Sequence, residues 1–268
     1  MKFNFTSKVY FILIAALVLF SAKVSAQGNF PFKVGEKLSY VINYRWGSID
    51  TDVGEANVEL KYDNGLYHPI VTGSTYKFWD VFFKVRELFE SQFRVSDGRP
   101  VYFHRNTREG KYNMLNTMTF NNSNYEISCT TQKNGGPIKD SLIKATSNTY
   151  DLVSLFYKVR CLDFSKTPVG VRQPISFVID REIYDLYYIY KGEFIKKFKG
   201  LGTFKVLKFN VMVVTGEVFS GKDELTIYVT NDDNKIPLLF ESPILVGKVY
   251  GRLTTFSNLR YPLTSKIK

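Results

Sequence analysis

The stretch Asn148–Asp163, NTYDLVSLFYKVRCLD, stands apart from the rest of the chain because its apolar residues follow helical spacing. They recur at i, i+3, i+4 and i+7, so one face of the predicted helix holds Leu152, Leu155, Phe156 and Val159. We expect this amphipathic helix, over about residues 149–162, to pack that face against the rest of the protein.

The two ends of the predicted helix carry residues that suit helix termini. Asn148 or Thr149 can accept hydrogen bonds from the free N–H groups of the first turn, and Asp151 suits the positive end of the helix dipole. Arg160 lies in the last turn, where a positive charge is favoured. The termini therefore agree with the hydrophobic pattern.

Before and after this helix, nearly all of the chain alternates apolar and polar residues, as half-buried strands do. Lys37–Trp46 places apolar side chains on one face and polar ones on the other, and the pattern resumes at residues 55–62. Asp63, Asn64 and Gly65 form a strong turn signal before a third strand. We predict a mostly β fold, in which residues 27–268 form a single domain. The predicted domain consists of one large curved antiparallel sheet, an open or incomplete barrel, with the helix packed on it.

Three segments depart from the alternation. Tyr76–Phe83 is very apolar and is predicted as a short helix, or as a loop that tucks aromatic side chains under the sheet. The strand predicted at Val85–Val95 has an apolar face that Glu87 and Ser91 interrupt. Residues 131–147, which include Gly-Gly-Pro, are predicted as a surface loop ahead of the helix.

The first 26 residues have the features of a secretory signal peptide. Lys2 and Lys8 precede an apolar run at Val9–Phe20, and Val24–Ala26 ends in the small-x-small pattern that signal peptidase cleaves. The alternative is a membrane anchor, but the run is too short to span a bilayer. We therefore expect cleavage near Ala26, a periplasmic location and no transmembrane span in the mature chain.

The chain is basic. Its formal net charge is +11, and removal of Lys2, Lys8 and Lys23 with the signal peptide leaves +8. This charge can attract anionic lipid headgroups or acidic glycans. Nucleic acid is not expected as a partner, because the export signal places the protein elsewhere.

The sequence contains two cysteines, Cys129 and Cys161. The predicted compartment allows disulfides to persist. Cys129 lies on the inner face of a predicted strand, whereas Cys161 lies about 180° around the helix from its apolar face. A disulfide and two independent thiols both remain open, and the geometry favours two independent thiols.

No pattern points to catalysis, a metal or a cofactor. His68 and His104, the two histidines, lie in different predicted strands without a nucleophile motif or metal-ligand spacing. Asp232, Asp233 and Asn234 lack the spacing of an EF-hand loop and are interpreted as a hairpin turn with side-chain hydrogen bonds. The two carboxylates of a glycosidase come together only in the folded structure, so the sequence neither predicts nor excludes such a pair. The prediction is a protein that is not an enzyme.

Two sets of residues have a binding interpretation beside a structural one. The first can line an apolar ligand cavity or form ordinary core; its members are Trp46, Phe78, Trp79, Phe82, Phe83, Leu152 and Phe156. The second can bind anionic groups or keep a hairpin edge soluble; its members are Lys196, Lys197 and Lys199.

Four quoted stretches carry a resemblance to a known family. They are FKVGEKLSYVINYRWGSIDTDVGEANVEL at Phe32–Leu60, FFKVRELFESQF at Phe82–Phe93, YDLVSLFYKVR at Tyr150–Arg160 and TNDDNKIPLLFESPILVGKVYGRL at Thr230–Leu253. Together they resemble domain of unknown function family 3108 of Gram-negative envelope proteins, in a variant similar to those of Bacteroidetes. The resemblance implies a periplasmic, mostly β protein and assigns no catalytic residues.

Two further similarities suggest functions. The order of elements is similar to lipoprotein-carrier folds, in which a curved sheet clasps a hydrophobic cavity beneath helices. Asp140-Ser141-Leu142 resembles the O-glycosylation motif of that phylum, which makes Ser141 a glycosylation candidate.

Three functional hypotheses follow. The first is a non-enzymatic periplasmic binding or carrier protein for a lipid-like envelope component, enclosed between the sheet and the helix. The second is an interaction protein of outer-membrane assembly or surface-export machinery, which would use a strand edge or a basic patch. The third is a glycan hydrolase with two facing carboxylates.

Overall fold

The computed structural model describes residues 30–212, 224–243 and 247–268. The predicted signal peptide lies outside these ranges. The described residues form fifteen strands and two α-helices, of which α1 is Lys77–Asp80 and α2 is Leu152–Arg160. The strands are β1 Lys37–Trp46, β2 Ile49–Asp63, β3 Leu66–Thr75, β4 Val85–Arg94, β5 Pro100–Glu109, β6 Tyr112–Asn121, β7 Glu126–Lys133, β8 Ile138–Lys144, β9 Thr149–Tyr150, β10 Arg172–Ile179, β11 Glu182–Phe198, β12 Gly202–Met212, β13 Glu224–Thr230, β14 Pro237–Pro243 and β15 Lys248–Ser257.

All fifteen strands belong to one sheet, in the order β8-β7-β6-β5-β4-β3-β2-β1-β15-β14-β13-β12-β11-β10-β9. The predicted mostly β fold with one large open sheet is therefore confirmed. β8 and β9 are the two edges, so the sheet does not close into a barrel. Neighbouring strands run antiparallel except for β9 and β10, which are parallel and make the sheet a mixed one.

The sheet curves until its two ends approach each other. Arg105 on β5 donates a hydrogen bond to Asp180 in the β10–β11 turn at 2.8 Å, although nine strands separate β5 from β10 in the order of the sheet. The Cys129 thiol on β7 also lies 3.8 Å from the backbone carbonyl of Asp180. Helix α2 packs against β3 and β4 as well as β10. The sheet therefore wraps around α2.

The strands form because their alternation gives each one a buried face. Leu38, Tyr40 and Ile42 of β1 lie beside the buried Val58 and Leu60 of β2 in the core. The predicted three-stranded meander at the start of the domain is confirmed, since β1, β2 and β3 pair in sequence order. Burial of these side chains contributes roughly 1.5–3 kcal/mol each relative to exposure.

Helix α2 differs from the prediction in its bounds and in its surroundings. It spans nine residues, and its N-cap is Asp151, not Asn148 or Thr149; Thr149 belongs to β9. The Asp151 carboxylate accepts hydrogen bonds from the backbone N–H groups of Val153 and Ser154, both at 2.9 Å. Every residue of α2 except Lys158 is buried, so the helix is enclosed on all sides and does not pack on the sheet by one face.

The C-terminal end of α2 is fixed by a buried ion pair. Arg160 donates two hydrogen bonds to the Glu36 carboxylate, at 2.5 and 2.8 Å, and a third to the backbone carbonyl of Asn234 at 3.1 Å. Its guanidinium lies 5.4 Å from the centre of the Phe32 ring. Arg160 was predicted as a residue that complements the helix dipole, and it also joins the N-terminal segment to the β13–β14 turn.

Three smaller predictions have clear outcomes. Residues 131–147 do not form a loop: they contain the end of β7 and all of β8, which pairs with β7 along seven positions. Asp232 forms the expected hairpin turn, because its carboxylate accepts hydrogen bonds from the backbone N–H groups of Asn234 and Lys235. Cys129 and Cys161 are both free.

Candidate functional site

The connection between β3 and β4 places three large apolar side chains in solvent. Phe78, Val81 and Phe82 follow the i, i+3, i+4 spacing of one helical face, and their exposed fractions are 68%, 83% and 72%. We call these three residues the apolar wedge. A cluster of exposed apolar side chains of this size is typical of a contact surface.

Polar contacts hold the segment that carries the apolar wedge in a fixed conformation. The Asp80 carboxylate accepts hydrogen bonds from Arg86 at 2.6 Å and from the Thr75 hydroxyl at 2.5 Å. These contacts hold the pKa of Asp80 at about 2. The Trp79 indole N–H donates to the backbone carbonyl of Asp52 at 3.1 Å. The wedge is therefore held in its outward position by fixed contacts beneath it.

The surroundings of the wedge are basic and partly apolar. Lys77 and Lys84 flank it and are exposed. Trp46 and Ile49 are also exposed, in the β1–β2 hairpin at the same end of the sheet. Ile49 is three residues, about 10 Å, along β2 from the Asp52 carbonyl that holds Trp79.

A buried acid pair, Glu87 and Glu109, lies on the inner face of the sheet just below the wedge. Glu109 pairs in register with Val85, directly after the wedge segment. The Thr107 hydroxyl donates to Glu87 at 2.6 Å, and the Arg105 Nε donates to the Thr107 oxygen at 2.8 Å. Both carboxyls are nearly inaccessible to solvent.

The acid pair holds at least one proton near neutral pH. Burial raises the pKa of Glu87 to about 7, and burial together with the charge of Glu87 raises the pKa of Glu109 further. The two carboxyls hydrogen-bond each other. One oxygen of each receives no donor from any other group in the described part of the chain, so a shared proton satisfies both.

Replacement of Glu87 by glutamine is expected to flatten the pH dependence of stability. A folded-state pKa above the unfolded value means that the folded protein binds more protons, so stability is fully present below about pH 4.3 and is lost as pH rises through 7. The wild-type free energy of unfolding should therefore fall between pH 5 and 8 by at most about 1.4 kcal/mol per pH unit for this group. Urea unfolding at several pH values measures the slope.

The control for this prediction is Glu55→Gln, which removes an exposed carboxylate on β2. It should leave the slope unchanged. Part of the slope persists in Glu87→Gln, because burial also raises the pKa of Glu109 and raises that of Asp151 to about 6. An identical slope in wild type and Glu87→Gln would show that Glu87 is ionised in the folded protein throughout this range.

The acid pair does not have the geometry of a glycosidase. Such enzymes separate their carboxyl groups by about 5–5.5 Å or 6.5–9.5 Å, with the sugar between them. Glu87 and Glu109 hydrogen-bond each other and are buried in the sheet interior. The arrangement can store a proton, and it leaves no room for a glycosidic bond between the two groups.

A cleft of about 600 Å³ opens where the two ends of the sheet approach. One wall is the β7–β8 hairpin and the other is the β10–β11 turn. Its lining includes Lys133, Lys139 and Ser141 from the first wall and Asp180, Arg181 and Glu182 from the second. The antiparallel register places the β7–β8 turn at the same end of the sheet as the wedge.

The aromatic residues predicted as ligand lining divide into two groups. Leu152 and Phe156 are 0% and 2% exposed and belong to the core around α2. Phe78, Trp79 and Phe82 contact one another in and next to α1, with Phe78 and Phe82 in solvent. The two remaining residues also differ: Phe83 packs on the core, and Trp46 is exposed in the β1–β2 hairpin.

The lysines predicted for anionic groups lie in and after β11, away from the cleft. Lys196 and Lys197 are consecutive strand residues and so point to opposite faces. The Lys196 ammonium lies 4.5 Å from the centre of the Tyr228 ring, a packing contact. Lys199 is exposed in the β11–β12 turn. Ser141, the glycosylation candidate, is half-buried in edge strand β8.

The fold and these surfaces define the class of protein: an open, strongly curved sheet that encloses one helix and presents an apolar wedge and a charged cleft at the same end. Residues 39–254 match the family described as "Protein of unknown function (DUF3108)". The chain therefore belongs to this family, as the quoted stretches predicted.

A solved structure supports the fold. The chain is similar to a "Beta-barrel-like Protein of Domain of Unknown Function DUF1849 from Brucella abortus", with a TM-score of 0.61 and 8% sequence identity. The similarity covers 85% of this chain and 99% of that one, and at this identity it shows the fold alone. A comparison with curated proteins found no match.

Two features of the site were missed by sequence reasoning. Glu87 was noted as an interruption of an apolar strand face, and such an interruption was the available signal for the buried acid pair. The sequence held no signal for the cleft, because the lining residues of its two walls are at least 39 positions apart, from Ser141 to Asp180. Within the described residues, none of the helices has the length and apolar character that crossing a membrane requires.

Proposed function

We propose that the protein is a non-enzymatic, periplasmic binding protein that works at a lipid surface of the cell envelope. The apolar wedge is its contact with lipid, and its ligand is a lipid-like envelope component. The observation that carries the proposal is the exposure of Phe78, Val81 and Phe82 on a turn that is locked from below. The export signal in residues 1–26 supports the periplasmic location.

The apolar wedge is exposed to water at a cost in free energy. Each large apolar side chain forgoes roughly 1.5–3 kcal/mol when it is exposed instead of buried. The Asp80–Arg86 ion pair and the Trp79 hydrogen bond keep the turn in a conformation that points these side chains outward. Since the fold does not bury them, a partner surface is expected to do so.

Lipid fits this surface better than an aqueous ligand does. Phe and Trp side chains are favoured at the boundary between lipid headgroups and acyl chains, and nearby lysines attract anionic headgroups. Lys77 and Lys84 flank the wedge, and Trp46 is exposed at the same end of the sheet. The interior position that the sequence suggested for a ligand is occupied in part by α2, which supports an external lipid contact.

Replacement of Phe78 and Phe82 by serine is expected to weaken vesicle binding roughly 10- to 100-fold, because two partly inserted rings are lost. The measurement is co-flotation of the mature chain with phosphatidylethanolamine vesicles that contain phosphatidylglycerol. Thermal unfolding should be nearly unchanged, since both rings are exposed in the folded protein.

The matched control is Ile195→Ser, which removes a side chain of similar exposure from β11. It should bind vesicles as the wild type does. The proposal fails if the double variant floats as well as the wild type, or if Ile195→Ser loses binding to the same extent.

A second candidate function rests on a separate observation, the open edge of the sheet. Among the described strands β8 is paired only with β7, and it exposes Ile138 and Leu142. An unpaired edge can accept a strand from another protein, as in β-augmentation. This supports an interaction with an outer-membrane assembly or export complex, for which cross-linking at Leu142 in intact cells would be the test.

A further inference from the structure

We infer that the cleft between the β7–β8 hairpin and the β10–β11 turn binds a phosphate-type oxyanion. In the lipid contact proposed above, this anion is the phosphate of a headgroup, and that part of the inference rests on the proposed function. The cleft carries three cationic side chains, Lys133, Lys139 and Arg181, from two separate elements. Its volume of about 600 Å³ lies within the usual range for small-molecule sites.

The acidic residues of the cleft are already engaged. Asp180 accepts from Arg105 at 2.8 Å, so its charge is balanced from inside the sheet. Glu182 accepts from the Tyr184 hydroxyl at 2.8 Å. In contrast, Lys133, Lys139 and Arg181 form no ion pair within the part of the chain that the structure describes. The cleft therefore keeps an excess of positive charge, because three cations face two carboxylates and Arg105 balances one of the two.

The backbone at Arg181 is strained in a way that serves binding. Its φ is +131°, a conformation that glycine adopts freely and a residue with a Cβ adopts at a cost. Asp180 before it has φ +56°, and the Arg181 N–H donates to the Ile179 carbonyl across the turn at 2.8 Å. A glycine would suit this position better, so an arginine here indicates that its guanidinium is needed in the cleft.

Asn134 and Ser141 add neutral hydrogen-bond donors to the three cations of the cleft. The side-chain oxygen Oδ1 of Asn134 accepts from the backbone N–H of Asn113 at 2.7 Å, which directs the side-chain N–H₂ of Asn134 away from that contact. The Ser141 hydroxyl is buried in the wall beside Cys129. Two ammonium groups, a guanidinium, an amide and a hydroxyl match the several acceptor oxygens of a phosphate.

The first experiment titrates the mature protein with inorganic phosphate and with glycerol 3-phosphate, followed by amide NMR. Shifts are expected at residues 133–141 and 180–182. Arg181→Gly should weaken binding about tenfold, since a charge-assisted contact is lost, and it should raise the melting temperature because the strain is relieved. Lys61→Gln removes one exposed charge from β2 and should change neither value.

Three outcomes would overturn the anion site. These are an absence of shifts at both walls, equal weakening by Arg181→Gly and Lys61→Gln, or a fall in melting temperature for Arg181→Gly with unchanged binding. Lys139→Gln provides a second test, because it changes a strand residue whose backbone is not strained and should also weaken binding about tenfold.

The second experiment separates a lipid source of the anion from a free one. Vesicles of phosphatidylcholine are compared with vesicles that also contain phosphatidylglycerol. Arg181→Gly is expected to lose the preference for phosphatidylglycerol, whereas the Phe78→Ser, Phe82→Ser variant loses binding to both. If Arg181→Gly keeps the preference while the wedge variant loses binding, the lipid part of the inference is overturned and the proposed function stands. If phosphate binds but vesicles do not, the anion is free in solution and the proposed function fails.

Discussion

Replacement of Arg160 by methionine is expected to lower the free energy of unfolding by about 3–5 kcal/mol, because it leaves the buried Glu36 carboxylate without its partner. Methionine fills much of the same volume, so the loss reflects the uncompensated charge more than a cavity. Glu36 is 1% exposed and receives both Arg160 hydrogen bonds. Urea unfolding of the mature chain, followed by circular dichroism, measures the change.

The chain offers a matched control at Lys166, six residues past the end of α2. Lys166 forms an ion pair with Asp163 at 2.9 Å, but both side chains are largely exposed. Lys166→Met should cost less than about 1 kcal/mol, since exposed pairs contribute little. A similarly small loss in Arg160→Met would mean that Glu36 finds another partner or takes up a proton when Arg160 is absent.

A double variant then separates the value of the pair from the cost of breaking it. Glu36→Leu combined with Arg160→Met removes both charges from the interior. Replacement of a buried pair by apolar groups is often neutral or stabilising, so the double variant should recover most of the lost stability. If the double variant does not recover this stability, the contacts of Arg160 with Asn234 and the Phe32 ring account for much of the loss in Arg160→Met.

The local parts of this fold were predictable because they depend on neighbouring residues. Alternation in Lys37–Trp46 identified the buried face of β1, and Asp63-Asn64-Gly65 identified the turn into β3. β8 was missed because its sequence, IKDSLIK, is polar and follows Gly-Gly-Pro. An edge strand buries little, so its sequence carries little of the hydrophobic alternation by which strands are found.

The enclosed helix could not have been predicted from its own sequence. Ser154 and Arg160 are polar and lie outside the predicted apolar face, so the sequence pattern did not place them in the core. In the structure Ser154 donates to the Asp151 carboxylate, as does Ser91, which is 60 residues away on β4. Glu36 is 124 residues from Arg160. Polar residues become core residues when distant partners satisfy them, and one sequence does not reveal such pairs.

Replacement of Phe156 by alanine is expected to cost about 3–5 kcal/mol of stability, the usual range for a buried phenylalanine. This prediction concerns the residue set Trp46, Phe78, Trp79, Phe82, Phe83, Leu152 and Phe156, for which core and ligand lining were both open. Phe156 is 2% exposed and lies edge-on to the Tyr157 ring at 5.1 Å. A side chain that lines an open cavity would lose fewer contacts on truncation.

The comparison with Phe82→Ala makes the test decisive, because Phe82 belongs to the same set and is 72% exposed. We expect Phe82→Ala to change stability by less than about 0.5 kcal/mol and to weaken vesicle binding, whereas Phe156→Ala should do the reverse. Urea unfolding and vesicle flotation on the same two variants measure both effects. Equal, small losses of stability in Phe156→Ala and Phe82→Ala would indicate that Phe156 lines an interior cavity. Such a result would indicate that the lipid binds in the space beside α2 and not at the wedge.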